Sequence, residues 1–464
     1  MQSLASLPTE ILHKIIRFAE PESLKTLRQV CRSLAEIGKE RLFESITVYA
    51  TEESCDKFTD FLENEDHDCL HLVTKVYLDL SEFEYDGYRV YNYGIWEGPR
   101  EKTFRRFVRL FPRLKELPRL RSIVLGFYPE STGGVDGVSD VPYAFGIRSA
   151  AIKEFLSAIT TLPQMPQELA FRELLNVNES NQEEVEKIEK VLQSLRSLRL
   201  NITNPHNVGD PETTLHHDDM HTFFSTLPSF WLHPALQNLE HLTIYSNVYF
   251  GYYPKLDLRG VHFPRLSTVA LGNYAFVHDS QLDWILSHRD TLTELYLDGC
   301  TILWAVASYN KERTYLDPDS YTTHPELKGR GYATYDTRWH HYFKSFHELQ
   351  HLRHFRYGNS EHWWGNKTTP FERETEIIIG MHEESYLTFS DSYEQELSYD
   401  YGAWFRIKWE ERGPLPWIEE DQTSLEELLA KIGQKYVIDE ATEHQIALAR
   451  ELRRPRAAVT PIHE

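Results

Sequence analysis

A pattern of apolar residues that recurs at a nearly constant interval constrains the fold of this chain more than any other feature. In the clearest copy, leucines spaced three residues apart lead into alternating apolar and polar residues around Ile244. The corresponding positions are Leu271, which is 27 residues later, and Leu297, a further 26 residues on. The spacing of three predicts a helical turn, and the alternation predicts a strand. No single copy can bury its apolar face alone, so the copies are expected to stack with their strands side by side in a parallel sheet.

This pattern resembles a leucine-rich repeat. The segment from Leu236 to Asn247 matches the repeat motif at every position, and the interval lies within the family's period of about 20–29 residues. For the three central copies, the agreement of register and period speaks against the alternative that leucines at a spacing of three mark only amphipathic helices. That alternative stays open for the outer, degenerate copies, which run from Val73 to Leu78, Leu117 to Leu125, Leu192 to Leu200 and Leu349 to Tyr357.

The first 46 residues carry apolar side chains at helical spacing. Pro8 can start a helix because its fixed φ suits the first turn, where its missing N–H is not needed. Pro21 is expected to end this helix and open a second, and Gly38 offers a stop to a third. A unit this short has little interior, so part of its apolar surface is expected to meet a partner or another domain.

The order of residues in this stretch resembles an F-box: Leu-Pro-x-Glu-Ile-Leu begins at Leu7, and Leu-Arg-x-Val-Cys-Arg-x-Leu begins at Leu27. A mild departure is Ala19, where the family more often has a larger apolar residue. The resemblance implies docking to the Skp-type adaptor of an SCF-type cullin-RING ubiquitin ligase, while the rest of the chain selects a protein substrate. The apolar residues to which it assigns adaptor contacts are Leu7, Pro8, Ile11, Leu12, Ile15, Ile16, Leu24, Leu27, Val30 and Cys31. The alternatives are that these helices only cap the following domain, or that the chain is a leucine-rich-repeat scaffold without a ligase role.

The predicted organisation is an α/β chain with three parts: a three-helix F-box domain at 1–46, an irregular leucine-rich-repeat solenoid with a parallel sheet at 47–375, and a C-terminal cap and tail at 376–464. This arrangement resembles the irregular, insertion-bearing repeat domains of fungal F-box proteins. Aromatic-rich insertions are expected to pack over the solenoid edge, with anchoring of a partner as the alternative. They lie at 82–99, at 304–342 and around His362-Trp363-Trp364. The cap is predicted to contain strands at 377–379 and 405–409 and helices at 424–433 and 439–452.

A substrate is expected on the concave face of the solenoid, because side chains between the buried strand positions point there. The mixture of aromatic and charged residues favours a protein surface over a small-molecule ligand. Tyr245 and Tyr296 are predicted near the centre of this face, and Arg199, Asp298 and Arg356 are further candidate substrate contacts, with Tyr77, Asp79 and Asn201 on the same face.

Composition argues against several classes of function. The formal net charge of −22 disfavours nucleic acid and anionic membranes as main partners, since both require clustered Lys and Arg. There is no secretory signal and no apolar run long enough to span a bilayer, which predicts a soluble protein of the cytoplasm, the nucleus or both. The four cysteines show neither metal-ligand spacing nor a disulfide framework, and no cofactor motif is present.

One motif indicates a different class of protein. His347-Glu348-Leu349-Gln350-His351 is an H-E-x-x-H sequence, which in metallopeptidases places two zinc ligands and a general base on one helix. Leu349 belongs to the repeat pattern, and His354 stands where the extended form of the motif requires Gly. A zinc metallopeptidase is therefore the minor alternative to a chain that catalyses nothing.

Overall fold

The computed structural model describes residues 7–19, 21–64, 67–81, 99–127, 141–203, 218–325, 327, 329–360, 372–391, 397–400, 417–436 and 443. These residues form a mixed α/β fold whose strands pair mostly in parallel. The chain divides into two compact units. The first contains Met1–Pro129, Pro142–Glu173 and Glu179–Leu195, and the second contains Glu130–Val141, Leu174–Asn178 and Arg196–Glu464.

Three short helices open the first unit, as the sequence predicts. They are α1 (Thr9–Phe18), α2 (Pro21–Leu27) and α3 (Arg32–Phe43). Pro8 precedes α1 with a φ of −54°, and the backbone turns extended at Ala19. The expected end of α3 at Gly38 is wrong, because the helix continues to Phe43. Gly38 instead allows the side chain of Arg28 to pack closely, since a Cβ at this position would lie 2.6 Å from Cγ of Arg28. The interior of the three helices is formed by Leu12, Ile16, Leu24, Leu34 and Ile37.

A parallel sheet and four helices follow in the first unit, and the last two residues of the fourth strand belong to the second unit. Its strands are β1 (Ser45–Tyr49), β2 (Lys75–Asp79), β3 (Ser122–Gly126) and β4 (Glu168–Leu175). Val76, Ile123 and Leu169 pair across neighbouring strands, and all three are buried. Both outer repeat copies in this unit therefore contain strands, and so do the other two outer copies, which lie in the second unit. The strand β4 has no counterpart among the predicted copies. The helices of this part are α4 (Glu52–Glu63), α5 (Pro99–Val108), α6 (Val141–Ile159) and α7 (Gln182–Leu192).

The second unit contains the central repeat copies in register. Its parallel strands are β5 (Ser197–Thr203), β6 (His241–Phe250), β7 (Thr268–Phe276), β8 (Glu294–Asp298) and β12 (His354–Asn359), with β13 (Ile378–Ile379) antiparallel to β12. One row of side chains crosses all five parallel strands and is completely buried: Leu198, Leu242, Val269, Leu295 and Phe355. Each of these is a predicted repeat position, so the predicted strand register is confirmed here.

A second group of strands branches from the end of β7. It consists of β9 (Thr301–Ser308), β10 (Thr322–Thr323), β11 (Gly331–Thr334), β14 (Tyr386–Asp391) and β15 (Leu397–Asp400). The helices of the second unit are α8 (Asp218–Leu227), α9 (Asp279–Leu286), α10 (Trp339–Ser345) and α11 (Ile418–Lys431). Aromatic side chains of the 304–342 insertion pack inside this unit, and Trp339 and Tyr342 are completely buried. The insertion at 82–98 and the segment with His362-Trp363-Trp364 lie outside the described residues.

The predictions for the C-terminal region are confirmed in part. The strand at 377–379 is present as β13, and a helix covers the predicted 424–433 region. That helix begins at Ile418 and not at the predicted cap, Thr423 or Ser424. Thr423 lies inside the helix, where its hydroxyl donates to the carbonyl of Glu419 at 2.8 Å and therefore does not cap the first turn. The strand at 405–409 and the helix at 439–452 fall outside the described residues. Within the described part of the chain, the helices are too short or too polar to cross a bilayer.

Candidate functional site

An apolar stripe lies on the surface of α1. Pro8, Ile11 and Ile15 follow one another at spacings of three and four residues and therefore share one side of the helix. Ile11 is 40% exposed, whereas the adjacent Leu12 is buried in the interior of the helices. The outer stripe thus borders the inner one, and the helix carries more apolar surface than its own core uses.

A second exposed apolar side chain lies between α2 and α3. Val30 is 57% exposed, and its neighbours Leu27 and Cys31 are only partly buried against the interior. Among the described residues, five large apolar side chains are exposed, and Ile11 and Val30 supply two of them within a short N-terminal segment. This concentration marks the surface of the N-terminal helices as a candidate protein-docking site.

The structure divides the predicted adaptor contacts into two groups. Leu12, Ile16 and Leu24 are buried between the helices, so they stabilise the fold of this segment rather than present a surface. The sequence could not separate these from the others, because both stripes are apolar. The residues with accessible surface are Leu7, Pro8, Ile11, Ile15, Leu27, Val30 and Cys31.

The predicted substrate residues do lie on one face of the second unit's sheet. Arg199 pairs with Thr243 in register, and Tyr296 pairs with Arg356. Their predicted accessibility is wrong for the central members, because Tyr245 is 1% exposed, Tyr296 is 3% exposed and Asp298 is completely buried. The face is therefore occupied in this structure and is not an open concave surface.

The occupant is a later part of the same chain, Glu372–Met381, which we call the covering segment. Ile377 packs into a buried apolar cluster with Tyr245, Ala270 and Tyr296. Arg356 donates from Nη1 to the carbonyl oxygen of Ile377 at 2.7 Å. Glu374 and Ile377 of the covering segment are buried, whereas the two residues between them are exposed.

Glu374 of the covering segment lies in a polar site on the sheet. Its Oε1 atom forms an ion pair with Nη1 of Arg199 and accepts a hydrogen bond from the Thr243 hydroxyl at 3.1 Å. Nε2 of His241 lies 3.5 Å from the same oxygen and 2.8 Å from the Thr243 hydroxyl. The repeat pattern did not indicate Glu374, His241 and Thr243 as site residues. A spacing of three between Glu374 and Ile377, just before the predicted strand at 377–379, was the available signal.

The electrostatics of this site favour a carboxylate. Burial opposes ionisation of Glu374, but the hydrogen bond with His241 and the charge of Arg199 prevail and hold its pKa below the usual value. Burial lowers the pKa of His241. Near neutral pH the site therefore presents a permanent cation, a hydroxyl and a neutral imidazole to one ionised carboxylate.

A glycine in β12 makes room for the covering segment. Gly358 pairs with Ile379, and a Cβ atom at this glycine would lie 1.7 Å from the carbonyl oxygen of Ile378. The close approach allows the amide of Gly380 to donate to the carbonyl of Tyr357 at 2.9 Å. A larger residue at position 358 is incompatible with this placement of the segment.

Asp298 has a structural role beside this face. Its carboxylate accepts hydrogen bonds from the amide of Ser360 at 2.9 Å and from the Ser360 hydroxyl. Burial raises the pKa of Asp298 to about 6, although the bonds from Ser360 and Tyr245 act in the opposite direction. The side chain fixes the chain as it leaves β12 and is not accessible to a substrate.

The H-E-x-x-H sequence does not adopt the geometry of a zinc helix. A 3₁₀ turn covers Phe346–Glu348, and the backbone leaves helical conformation at Leu349, where ψ is 85°. His347 and His351 are therefore not placed one above the other on an α-helical face. Across the described ranges, we find no group of three His, Cys, Asp or Glu side chains arranged to hold a metal.

Comparisons with known proteins bear on the N-terminal segment. An F-box-like family model matches residues 4–48, which cover α1 to α3 and most of β1. The comparison with curated proteins found no match to this chain. Among solved structures, a crystal structure of a TLR13–ssRNA13 complex is similar at 14% identity and a TM-score of 0.26, over 71% of this chain and 38% of that one. A similarity of that size supports no argument about fold or function, so the F-box-like match is the informative comparison.

Proposed function

We propose that this protein is the substrate-recognition subunit of an SCF-type cullin-RING ubiquitin ligase. In this proposal the N-terminal helices bind a Skp-type adaptor, and the second unit binds a protein substrate. The chain itself catalyses no step, because the recruited enzymes transfer ubiquitin while this subunit supplies proximity and orientation. Its place of action would be the cytoplasm, the nucleus or both.

The observation that carries the proposal is the coincidence of two features in one segment. Residues 4–48 match an F-box-like model, and the same helices expose Ile11 and Val30 beside a closed interior. Single exposed aliphatic side chains also occur at Val177 and Ile378, so it is the coincidence of Ile11 and Val30 with the family match that supports a docking role. Covering them with a partner contributes favourable free energy, at about 25 cal/mol for each Å² of apolar surface removed from water.

Co-purification with the adaptor tests this proposal. The double variant Ile11→Asp/Val30→Asp places two charges in the proposed interface, and burying an uncompensated carboxylate is costly. We expect it to lose the Skp-type adaptor from pull-downs while its circular dichroism and its melting temperature stay close to the wild type. Val177→Asp is the matched control, because Val177 is likewise an exposed aliphatic residue but lies in the second unit. Equal adaptor recovery with both variants would refute the proposal.

The second candidate is a repeat scaffold whose N-terminal helices have no ligase role. It is favoured only by the burial of Leu12, Ile16 and Leu24, which shows that the helices have a core of their own. The same pull-down separates the two, since a scaffold would not retain a Skp-type adaptor even as the wild-type chain.

A further inference from the structure

The face of β5–β8 beneath the covering segment combines two distinct recognition positions. The first is the polar site of Arg199, His241 and Thr243, which holds the carboxylate of Glu374. The second is the apolar site of Tyr245, Ala270 and Tyr296, which holds the side chain of Ile377. Both occupants belong to a single short segment, three residues apart.

The polar site contributes less to stability than an apolar core of the same size would. A buried ion pair contributes little net stability compared with well-packed apolar side chains, because both charges lose their hydration. The site nevertheless surrounds one carboxylate with a guanidinium, a hydroxyl and an imidazole. Such an arrangement discriminates strongly for an acidic side chain, since a neutral residue would leave the cation without its partner.

The covering segment makes a 3₁₀ turn at Glu374–Glu376, and beyond this turn it uses main-chain contacts that another peptide of the same shape could make. Arg356 binds the carbonyl of Ile377, and β13 adds only two residues to the edge of β12. Addition of an extended segment to a sheet edge is a common mode of peptide recognition, with side-chain pockets providing the specificity. The outward side chains of Thr375 and Ile378 are exposed and take no part in these contacts.

We propose that this face is the substrate-docking surface, that the covering segment occupies it in cis, and that it takes a peptide with an acidic residue followed three positions later by an aliphatic one. The inference rests on the substrate-receptor function proposed above and names the chemistry that the receptor selects. The covering segment then competes with the substrate, and substrate capture requires its local displacement from β12.

A labelled peptide with the sequence of residues 372–381, Glu-Arg-Glu-Thr-Glu-Ile-Ile-Ile-Gly-Met, tests the proposal by fluorescence anisotropy. The receptor variant Glu374→Ala/Ile377→Ala weakens the covering segment and leaves the face intact. If the face is open in about a tenth of wild-type molecules, this variant binds the peptide about tenfold more tightly than the wild type. Thr375→Ala/Ile378→Ala is the matched control, because it alters the exposed side of the same segment and should bind like the wild type.

Two further arms test the chemistry of the two positions. Replacing the peptide's counterpart of Glu374 by Gln should weaken binding about tenfold or more, which corresponds to the loss of a charge-assisted contact. Adding Arg199→Met to the opened receptor should abolish the preference for Glu over Gln. Absence of peptide binding to the opened receptor, or equal binding of the Glu and Gln peptides, overturns the proposal.

A second route to the open state does not depend on the folding of that double variant. Gly358→Ala introduces the Cβ atom that collides with the carbonyl of Ile378, and it leaves the Arg199 site untouched. We expect Gly358→Ala to speed hydrogen exchange at the amide of Gly380. We also expect it to bind a shortened peptide of residues 372–377 more tightly than the wild type does, because that peptide ends before the carbonyl of Ile378 and avoids the same collision. Unchanged exchange together with unchanged affinity overturns the proposal. These assays contain no adaptor, so failure here leaves adaptor binding standing, and failure of adaptor binding leaves peptide recognition standing.

Discussion

Replacing Arg199 by Met is expected to lower the free energy of unfolding by about 2–3 kcal/mol, since it removes the cation paired with the buried carboxylate of Glu374. Breaking a fully buried ion pair costs about 3–5 kcal/mol. Here the side chains are 22% exposed for Arg199 and 8% exposed for Glu374, and Thr243 and His241 still contact the carboxylate after the substitution. Partial solvent access and these remaining contacts bring the expected loss below the fully buried range.

Urea unfolding at pH 7 measures this loss, and the double variant Arg199→Met/Glu374→Met completes a thermodynamic cycle. The double variant should be more stable than Arg199→Met alone, because it no longer buries an uncompensated charge. Arg196→Met is the control: Arg196 pairs with Glu240 at 3.4 Å, but the two side chains are 54% and 41% exposed, so the change should stay within about 0.5 kcal/mol. If Arg199→Met costs no more than Arg196→Met, the reasoning about the polar site is wrong.

Three further perturbations have defined outcomes. Burial lowers the pKa of His288 to about 4, so as the pH falls the unfolded chain binds a proton first and stability is lost between about pH 6.5 and pH 4. In urea unfolding, the free energy of unfolding should fall by about 2 kcal/mol through this group between pH 7 and pH 5. For His288→Gln, the free energy of unfolding should depend less steeply on pH. Tyr245→Ala should cost about 3–5 kcal/mol in the same assay because it leaves a cavity, whereas Tyr245→Phe should cost far less. Asp421→Ala should release α11 and expose it to limited proteolysis, because the buried Asp421 carboxylate accepts hydrogen bonds from the amide of His340 at 2.8 Å and from the hydroxyl of Tyr386.

The sequence was most informative where burial is dictated by local spacing. Leu242, Val269 and Leu295 could be assigned to neighbouring strands because each follows the same spacing of apolar residues. The helix expected before each strand is wrong for the copy at Val269, because the residues between β6 and β7 form turns and irregular chain. The strand β4 was missed because no leucines at a spacing of three lead into it, although Leu169 and Phe171 alternate within it. Local pattern therefore predicts a strand best when a repeated partner supports it.

The sequence was least informative about what covers each face. Alternation correctly placed Tyr245 and Tyr296 opposite the leucine row. It could not reveal that Ile377, which lies 132 residues after Tyr245 and 81 residues after Tyr296, packs on them. In the N-terminal helices, Ile11 and Leu12 are both apolar and adjacent, and only their packing distinguishes surface from interior. Long-range contacts of this kind depend on the tertiary fold, and local periodicity does not identify the partner.

Adaptor binding by the full-length chain is the measurement that tests the central claim most directly. Isothermal titration of the purified chain with a purified Skp-type adaptor should give one adaptor per chain, with a dissociation constant at or below about 1 μM, which corresponds to about −8 kcal/mol. The double variant Ile11→Ala/Val30→Ala should weaken this affinity about thirtyfold: at about 0.8 kcal/mol per buried methylene, covering the exposed fractions of the lost groups contributes about 2 kcal/mol. Because apolar burial has little enthalpy near 25 °C, the titration is run at two temperatures. Absence of binding heat for the wild-type chain at both temperatures, at tens of micromolar adaptor, would contradict the account.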